Sequence, residues 1–368
     1  VPHCDDLAQE NIEWIGEDIA EKFISAAADC SKLDDSSAKK DLSIVYTPLF
    51  GSGRDFVLDA LEKDGFSQVH LVKKQAGFDG KFPGLRKPNP EEPEVFRIAE
   101  REALREHADL MIATDPDSDR IGAGMIQDSK AFFFTGNQIG ALLADFLSRQ
   151  GSVKGKIMVT TVVTGDLGSR IVTSRGATVI HTLTGSKFVC EEMNHMEAGE
   201  FLLGYEESHG YIGGMHIRDK DGVLAAMLLC ETAAWHKTQG KTLLDALEDL
   251  YEEYGYYIDE QDSFVFEGAK GAKEMQKIMA RLRSRRGSVF APLGKPDKIL
   301  DYEKGVDELP RSNVLKFFFS NGSWVAVRPS GTEPKIKFYY CIRGKDQRQA
   351  QELYEAVQTS VEEFLRTF

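Results

Sequence analysis

The stretch Leu110-Met111-Ile112-Ala113-Thr114-Asp115-Pro116-Asp117-Ser118-Asp119-Arg120 joins a short apolar run to three carboxylates. Leu110 to Ala113 reads as a buried strand, so the acidic cluster stands at a strand's carboxyl end, where open α/β sheets hold their ligands. Asp115, Asp117 and Asp119 alternate, and a locally extended backbone turns all three side chains the same way. An oxygen-only trio suits a hard divalent cation, and Mg²⁺ is the expected ion because it keeps positions open for a phosphate oxygen or water. The calcium loop of an EF-hand is excluded, since its sixth and twelfth positions require Gly and Glu where this chain has Arg120 and Ile126. The other alternative is a solvated acidic turn. The apolar strand before the cluster and Arg120 after it favour the metal.

Working outward, Leu42 to Tyr46 and Val69 to Val72 read as strands flanking a helix from Arg54 to Lys63, a βαβ start. Before it, Ile12, Ile15, Ile19 and Phe23 recur at helical spacing over Asn11 to Cys30. A Pro-rich excursion (Pro83, Pro88, Pro90, Pro93) leads to a helix over about 94–107 and then to the acidic cluster. A second unit repeats the scheme, with strands at Lys156 to Val163, Thr178 to His181 and Phe201 to Leu203, and it too ends in carboxylates, Glu206-Glu207. The remainder alternates strands and helices in the order of a smaller α+β domain. The expected organisation is therefore α/β, with two successive mixed-sheet domains at 1–127 and 128–258 and a smaller α+β domain at 259–368.

Composition narrows the function. The chain has 368 residues and a formal net charge of -14, which argues against nucleic acid or anionic membrane as a partner, because phosphates would be repelled globally. A phosphate ligand must then meet a local basic pocket. No apolar run approaches the length of a membrane span. Five scattered cysteines without a Cys-x-x-Cys pair point to neither a disulfide framework nor a zinc site, and a cytoplasmic protein is expected. The chain begins at Val1 without a signal-peptide pattern, and a segment of a longer protein is expected.

Three further runs carry chemistry. Arg328-Pro329-Ser330-Gly331-Thr332-Glu333-Pro334-Lys335 combines a bidentate cation, two hydroxyls and a glycine that admits backbone N–H groups, the composition of a phosphate cradle or, more plainly, of a turn. Gly204 to Gly210, with Glu206 and Ser208, offers carboxylate and hydroxyl to sugar hydroxyls. His216-Ile217-Arg218-Asp219-Lys220-Asp221-Gly222 supplies Arg218 for phosphate and Lys220 for phosphate or proton transfer, or else is an ordinary helix start. Thr184-Gly185-Ser186-Lys187 is a Gly-turn with a cation that suits phosphate.

Together with Thr47-Pro48-Leu49-Phe50-Gly51, these runs resemble, in order, the motifs of the α-D-phosphohexomutase superfamily of phosphoglucomutases and phosphomannomutases, over about 41–337. The likeness is greatest to the branch with bacterial α-phosphoglucomutase and animal phosphopentomutase. That family has four domains, and the runs are similar to the second, third and fourth. The resemblance implies Asp115, Asp117 and Asp119 as Mg²⁺ ligands, Arg120 and Lys220 as catalytic, and Thr184, Gly185, Lys187, Glu206, Ser208, Arg218, Arg328, Ser330, Gly331 and Thr332 as substrate-binding. It also implies a glucose 1,6-bisphosphate-like intermediate, a small sugar phosphate as partner, and a monomer or weak dimer. The family's phosphorylatable Ser-His-Asn-Pro segment is not among these residues, so this chain alone is expected to be inactive. Ser186 stands where the family's turn has an aromatic residue. Two readings from other classes are a truncated, non-catalytic sugar-phosphate-binding protein and a phosphatase with Asp115 as nucleophile.

Overall fold

The computed structural model describes residues 15–197, 199–266, 268–330 and 334–368. The first unit contains α1 (Glu17–Ala28), α2 (Ser36–Asp41), β1 (Ser43–Thr47), α3 (Gly53–Asp64), β2 (Gln68–Leu71), α4 (Arg97–Glu106), β3 (Leu110–Thr114), β4 (Ile121–Gln127) and β5 (Lys130–Phe134). Its sheet has the order β2-β1-β3-β4-β5, parallel across the first three strands and antiparallel beyond. β1 and β3 are buried throughout, as central parallel strands covered on both faces must be.

The second unit contains α5 (Gly136–Arg149), β6 (Ile157–Thr161), α6 (Asp166–Ser174), β7 (Thr178–Thr182), α7 (Ser186–Met193), β8 (Phe201–Tyr205), β9 (Tyr211–Ile212), α8 (Gly222–Thr238) and α9 (Leu243–Tyr254). Its sheet order, β7-β6-β8-β9 with β9 antiparallel, repeats the arrangement of the first four strands of the other sheet. The expected repeat is thus one of topology. It places the β3–β4 connection, Asp115 to Arg120, and the β8–β9 connection, Glu206 to Gly210, at equivalent positions.

The third unit is an antiparallel sheet of β10 (Tyr256–Val265), β11 (Lys298–Asp301), β12 (Leu315–Phe318), β13 (Trp324–Pro329) and β14 (Lys335–Gly344), with α10 (Gly268–Arg285) and α11 (Gln347–Leu365). β10 runs ten residues against β14.

Two expectations change. The expected division at 127/128 falls in the turn of the β4–β5 hairpin, where Asp128 and Ser129 both have positive φ, so the first sheet continues to Phe134. Among the described residues the first helix begins at Glu17, not at Asn11, and Ile15 and Ile19, two of the residues at helical spacing, are exposed. Residues 1–14 lie outside the described residues.

α8 is apolar on nearly every side and buried along most of its length, so it must be covered on all faces. It packs on α2 and α3 of the first unit and on α5 and α9 of its own. Asp221 caps its start, accepting from the Val223 and Leu224 N–H groups at 2.9 and 3.1 Å. Midway along, Glu231 accepts from the Lys32 and Leu33 N–H groups and pairs with Lys39 at 2.9 Å, while Lys39 also meets Asp64 at 2.6 Å. This buried network ties the first two units together.

Candidate active site

The three carboxylates converge by a different route from the expected one. The backbone after β3 is a tight turn, not an extended run. Ser118 has φ of 60° and its N–H donates to the Asp115 carbonyl at 3.0 Å. The turn brings one oxygen from each of Asp115, Asp117 and Asp119 within 4.8 Å of the others.

Two glycine turns hold this loop from opposite sides. A Cβ on Gly51 would lie 2.4 Å from the Pro116 Cα, and a Cβ on Gly222 would lie 2.6 Å from the Ser118 carbonyl oxygen. Ser52 donates its N–H to the Pro116 carbonyl at 2.8 Å, and Gly222 donates to the Ser118 carbonyl at 3.0 Å. The run Thr47 to Gly51 and the start of α8 therefore clamp the acidic loop by backbone contacts.

Burial, with the charges on Asp119 and Asp117, pushes Asp115 up to about 7 despite an Arg120 N–H donated to its Oδ1. Three oxygens this close and mutually repelling fit a small divalent cation, and the donor chemistry fits Mg²⁺. Among the described residues this is the one such cluster. Two cations already face it. The Lys220 ammonium pairs with Asp119, and the Arg120 guanidinium lies 3.5 Å from Asp119 and 3.9 Å from Asp115.

The second strand-end cluster adjoins the first. Arg120 and Gly210 form a bridge, the Ile121 N–H donates to the His209 carbonyl at 3.1 Å, and His209 Nδ1 lies 3.0 Å from the Ile121 carbonyl. Burial pushes His209 below its ordinary value. Glu206 is buried and accepts from the Gly185 N–H at 2.7 Å, which joins it to the Thr184 to Lys187 turn. Thr184 and Ser208 are half-buried beside it and Lys187 is exposed. Arg218 is exposed and held by Asn194 Oδ1 at 3.1 Å and the Met215 carbonyl at 2.6 Å. His216 binds Asp221 at 3.0 Å, and that bond is the main cause that raises it to about 9.

Arg328 lies near the end of β13, and just beyond that strand the Ser330 N–H donates to the Lys335 carbonyl at the start of β14 at 2.8 Å. Gly331 and Thr332 lie outside the described residues. Charges from the second unit reach this end of the third sheet. Burial lowers Lys337, Glu207 acts to raise it, and Arg328 and Lys335 act against Glu207.

A residue that motif reading did not single out also sits here, beside Glu207 of the second strand-end pair. Glu91, from the Pro-rich excursion, pairs with Arg120 at 2.6 Å. Glu207 is pushed up to about 7 by burial and by Glu206. The signal for Glu91 was the Asn89-Pro90-Glu91 run itself, which reads only as a turn when its partner is unknown.

Two loops at equivalent sheet positions thus adjoin, one acidic and metal-suited, the other carrying Glu206 and Ser208. The family models for phosphoglucomutase/phosphomannomutase match throughout: alpha/beta/alpha domain II over residues 21–125, alpha/beta/alpha domain III over 135–254 and the C-terminal domain over 265–360. This chain belongs to the phosphoglucomutase/phosphomannomutase family. A phosphoglucomutase of Staphylococcus haemolyticus is 35% identical, covering 96% of this chain and 67% of that protein. The open form of Paramecium parafusin, an exocytosis-sensitive phosphoprotein and phosphoglucomutase, superimposes with a TM-score of 0.69 at 21% identity, over 94% of this chain and 61% of the other. An Aspergillus fumigatus N-acetylphosphoglucosamine mutase in complex with glucose 1,6-bisphosphate does so with a TM-score of 0.50 at 13% identity, over 93% and 64%. The chain thus spans roughly two thirds of the length of these relatives. No helix among the described residues is long and apolar enough to cross a membrane.

Proposed function

We propose that this chain supplies the metal-, sugar- and phosphate-binding parts of a mutase. The reaction moves a phosphoryl group between O1 and O6 of a hexose, or O1 and O5 of a pentose, through a sugar bisphosphate. The observation that supports the reading is the backbone bridge between Arg120 and Gly210, which joins the loop of the carboxylate trio to the loop that carries Glu206 and Ser208.

In this reading Asp115, Asp117 and Asp119 hold Mg²⁺, which when bound neutralises phosphoryl charge. Arg120 steadies the moving phosphoryl group. Glu206, fixed by the Gly185 N–H, and Ser208 orient the sugar hydroxyls, with Thr184, Gly185 and Lys187 along the same wall. Lys220 moves a proton at the reacting oxygen, and Arg218, Arg328, Ser330, Gly331 and Thr332 hold the phosphate that does not react. Phosphoryl transfer asks chiefly for positioning and charge neutralisation, which is what these groups offer. The donor phosphoserine lies on a domain outside these 368 residues, and the three-domain division is read with its first boundary after Phe134. A cytoplasmic monomer or weak dimer completes the reading, in keeping with the free thiols of Cys30, Cys190, Cys230 and Cys341.

The test is ³¹P NMR of glucose, mannose, ribose and N-acetylglucosamine 1-phosphates incubated with the gene's full product, Mg²⁺ and glucose 1,6-bisphosphate. Conversion of at least one to its 6- or 5-phosphate is expected. Binding without conversion would leave a sugar-phosphate-binding protein, and release of inorganic phosphate from every substrate would indicate a phosphatase.

A further inference from the structure

Arg120 is suspended between two opposed sets of carboxylates. On one side are Asp119 and Asp115, at 3.5 and 3.9 Å from its Nε; on the other is Glu91, whose Oε1 accepts from Nη1 at 2.6 Å. Both partners of the Glu91 pair are half-buried.

Glu91 is built into place. The Asn89 side chain accepts from the Glu91 N–H at 3.1 Å and the Asn89 carbonyl from the Glu92 N–H at 3.0 Å. The Pro90 carbonyl presses on β4, so closely that a Cβ on Gly122 would lie 2.4 Å from it. The turn that carries Glu91 is therefore seated against the strand that begins beside Arg120.

We propose that Glu91 is a positioning residue that draws the Arg120 guanidinium away from the metal-binding carboxylates, so that it competes less with a divalent cation for Asp115 Oδ2 and Asp119 Oδ1, the oxygens it faces. This rests on the metal reading of the trio. With Glu91 neutralised, the carboxylates left in ion-pair range of Arg120 among the described residues are Asp115 and Asp119 of the trio, and it competes with the cation for the same oxygens.

The measurement is Mn²⁺ affinity of the 368-residue chain, by electron paramagnetic resonance of free Mn²⁺. Loss of an outer-shell partner of this kind costs about tenfold in metal affinity, so Glu91→Gln is expected to raise Kd by about that factor. Glu91→Asp, which keeps the charge, should stay within about threefold of wild type on the same scale. In an Arg120→Gln background, Glu91→Gln should change Kd no further, a result that mere loosening of the Pro-rich turn does not give. Wild-type affinity in Glu91→Gln, or a full loss in Glu91→Asp with the fold intact by circular dichroism, would overturn the proposal alone. If Glu91→Gln does not fold, the Asp variant decides. Absence of Mn²⁺ binding by wild type would overturn the metal reading and this proposal with it.

Discussion

Asp117 is the trio's most exposed member and has no packing role, so its removal isolates metal binding from stability. Asp117→Ala is expected to lower Mn²⁺ affinity by at least about tenfold while leaving the melting temperature within a degree or two. Titration with Mn²⁺ beside a thermal melt checks both. Gly51 makes the converse case. A Cβ there would stand 2.4, 2.6 and 2.8 Å from backbone atoms of Pro116, which cannot rotate aside as a side chain could. Gly51→Ala is expected to destabilise by about 1–3 kcal/mol and to displace the acidic loop, so urea unfolding and Mn²⁺ affinity should move together. These residues also divide what was legible in the sequence from what was not. The trio could be found because an apolar strand delivers it. Its turn, with Ser118 in the left-handed region, could not, because serine carries no mark of that conformation.

Among elements, α8 shows how burial hides a helix from periodicity. A helix covered on all sides has no apolar stripe, so Gly222 to Thr238 gives no 3.6-residue signal although it is the longest wall between the first two units. The β4–β5 hairpin was hidden for another reason. Gly122 and Gly124 weaken the strand pattern of β4, and they are there because Pro90 and the Phe132–Phe133 segment come too close for a side chain. The buried network on α8 leads to a prediction of its own. Burial, then the charge of Glu231, pushes Asp64 up to about 6 from 3.8, and its Oδ2 has no hydrogen-bond partner. A carboxyl group with a raised folded-state pKa makes its full contribution to stability below the unfolded value, and that contribution falls as pH rises from about 4 to 6. At pH 7 the folded state therefore carries an excess buried charge. Asp64→Asn keeps an oxygen for Lys39 and removes that charge, so it is expected to stabilise by on the order of 1 kcal/mol at pH 7 and to lose the gain by pH 4. Urea unfolding at the two pH values tests this. Equal effects at both would show that Asp64 does not titrate in that window.

At the scale of the whole molecule, the second and third units meet around a buried lysine. Lys316 of β12 donates to the Val162 carbonyl beyond β6 at 2.8 Å and lies 3.7 Å from the centre of the Trp324 ring. This contact is sealed on both sides, for Lys316 is only 5% exposed and Trp324 1%. Burial lowers Lys316 to about 8 from 10.5, against the opposing pull of Asp166, Cys341 and Asp259. A lysine depressed in the folded state favours folding less at pH 7, where both states hold the proton, than above its folded pKa, where only the unfolded chain still binds it. Stability from this group therefore rises between about pH 8 and 10.5. Lys316→Met removes the dependence and keeps the aliphatic contact with Trp324. The stability difference between wild type and Lys316→Met, measured by urea unfolding, should shift by about 2 kcal/mol in favour of wild type from pH 7 to pH 10. Comparing the two proteins cancels the tyrosines and other lysines that titrate in the same range. A difference that stays flat across those pH values would mean that Lys316 keeps its proton in the folded interface, with Val162 and the Trp324 ring sufficient to hold the charge.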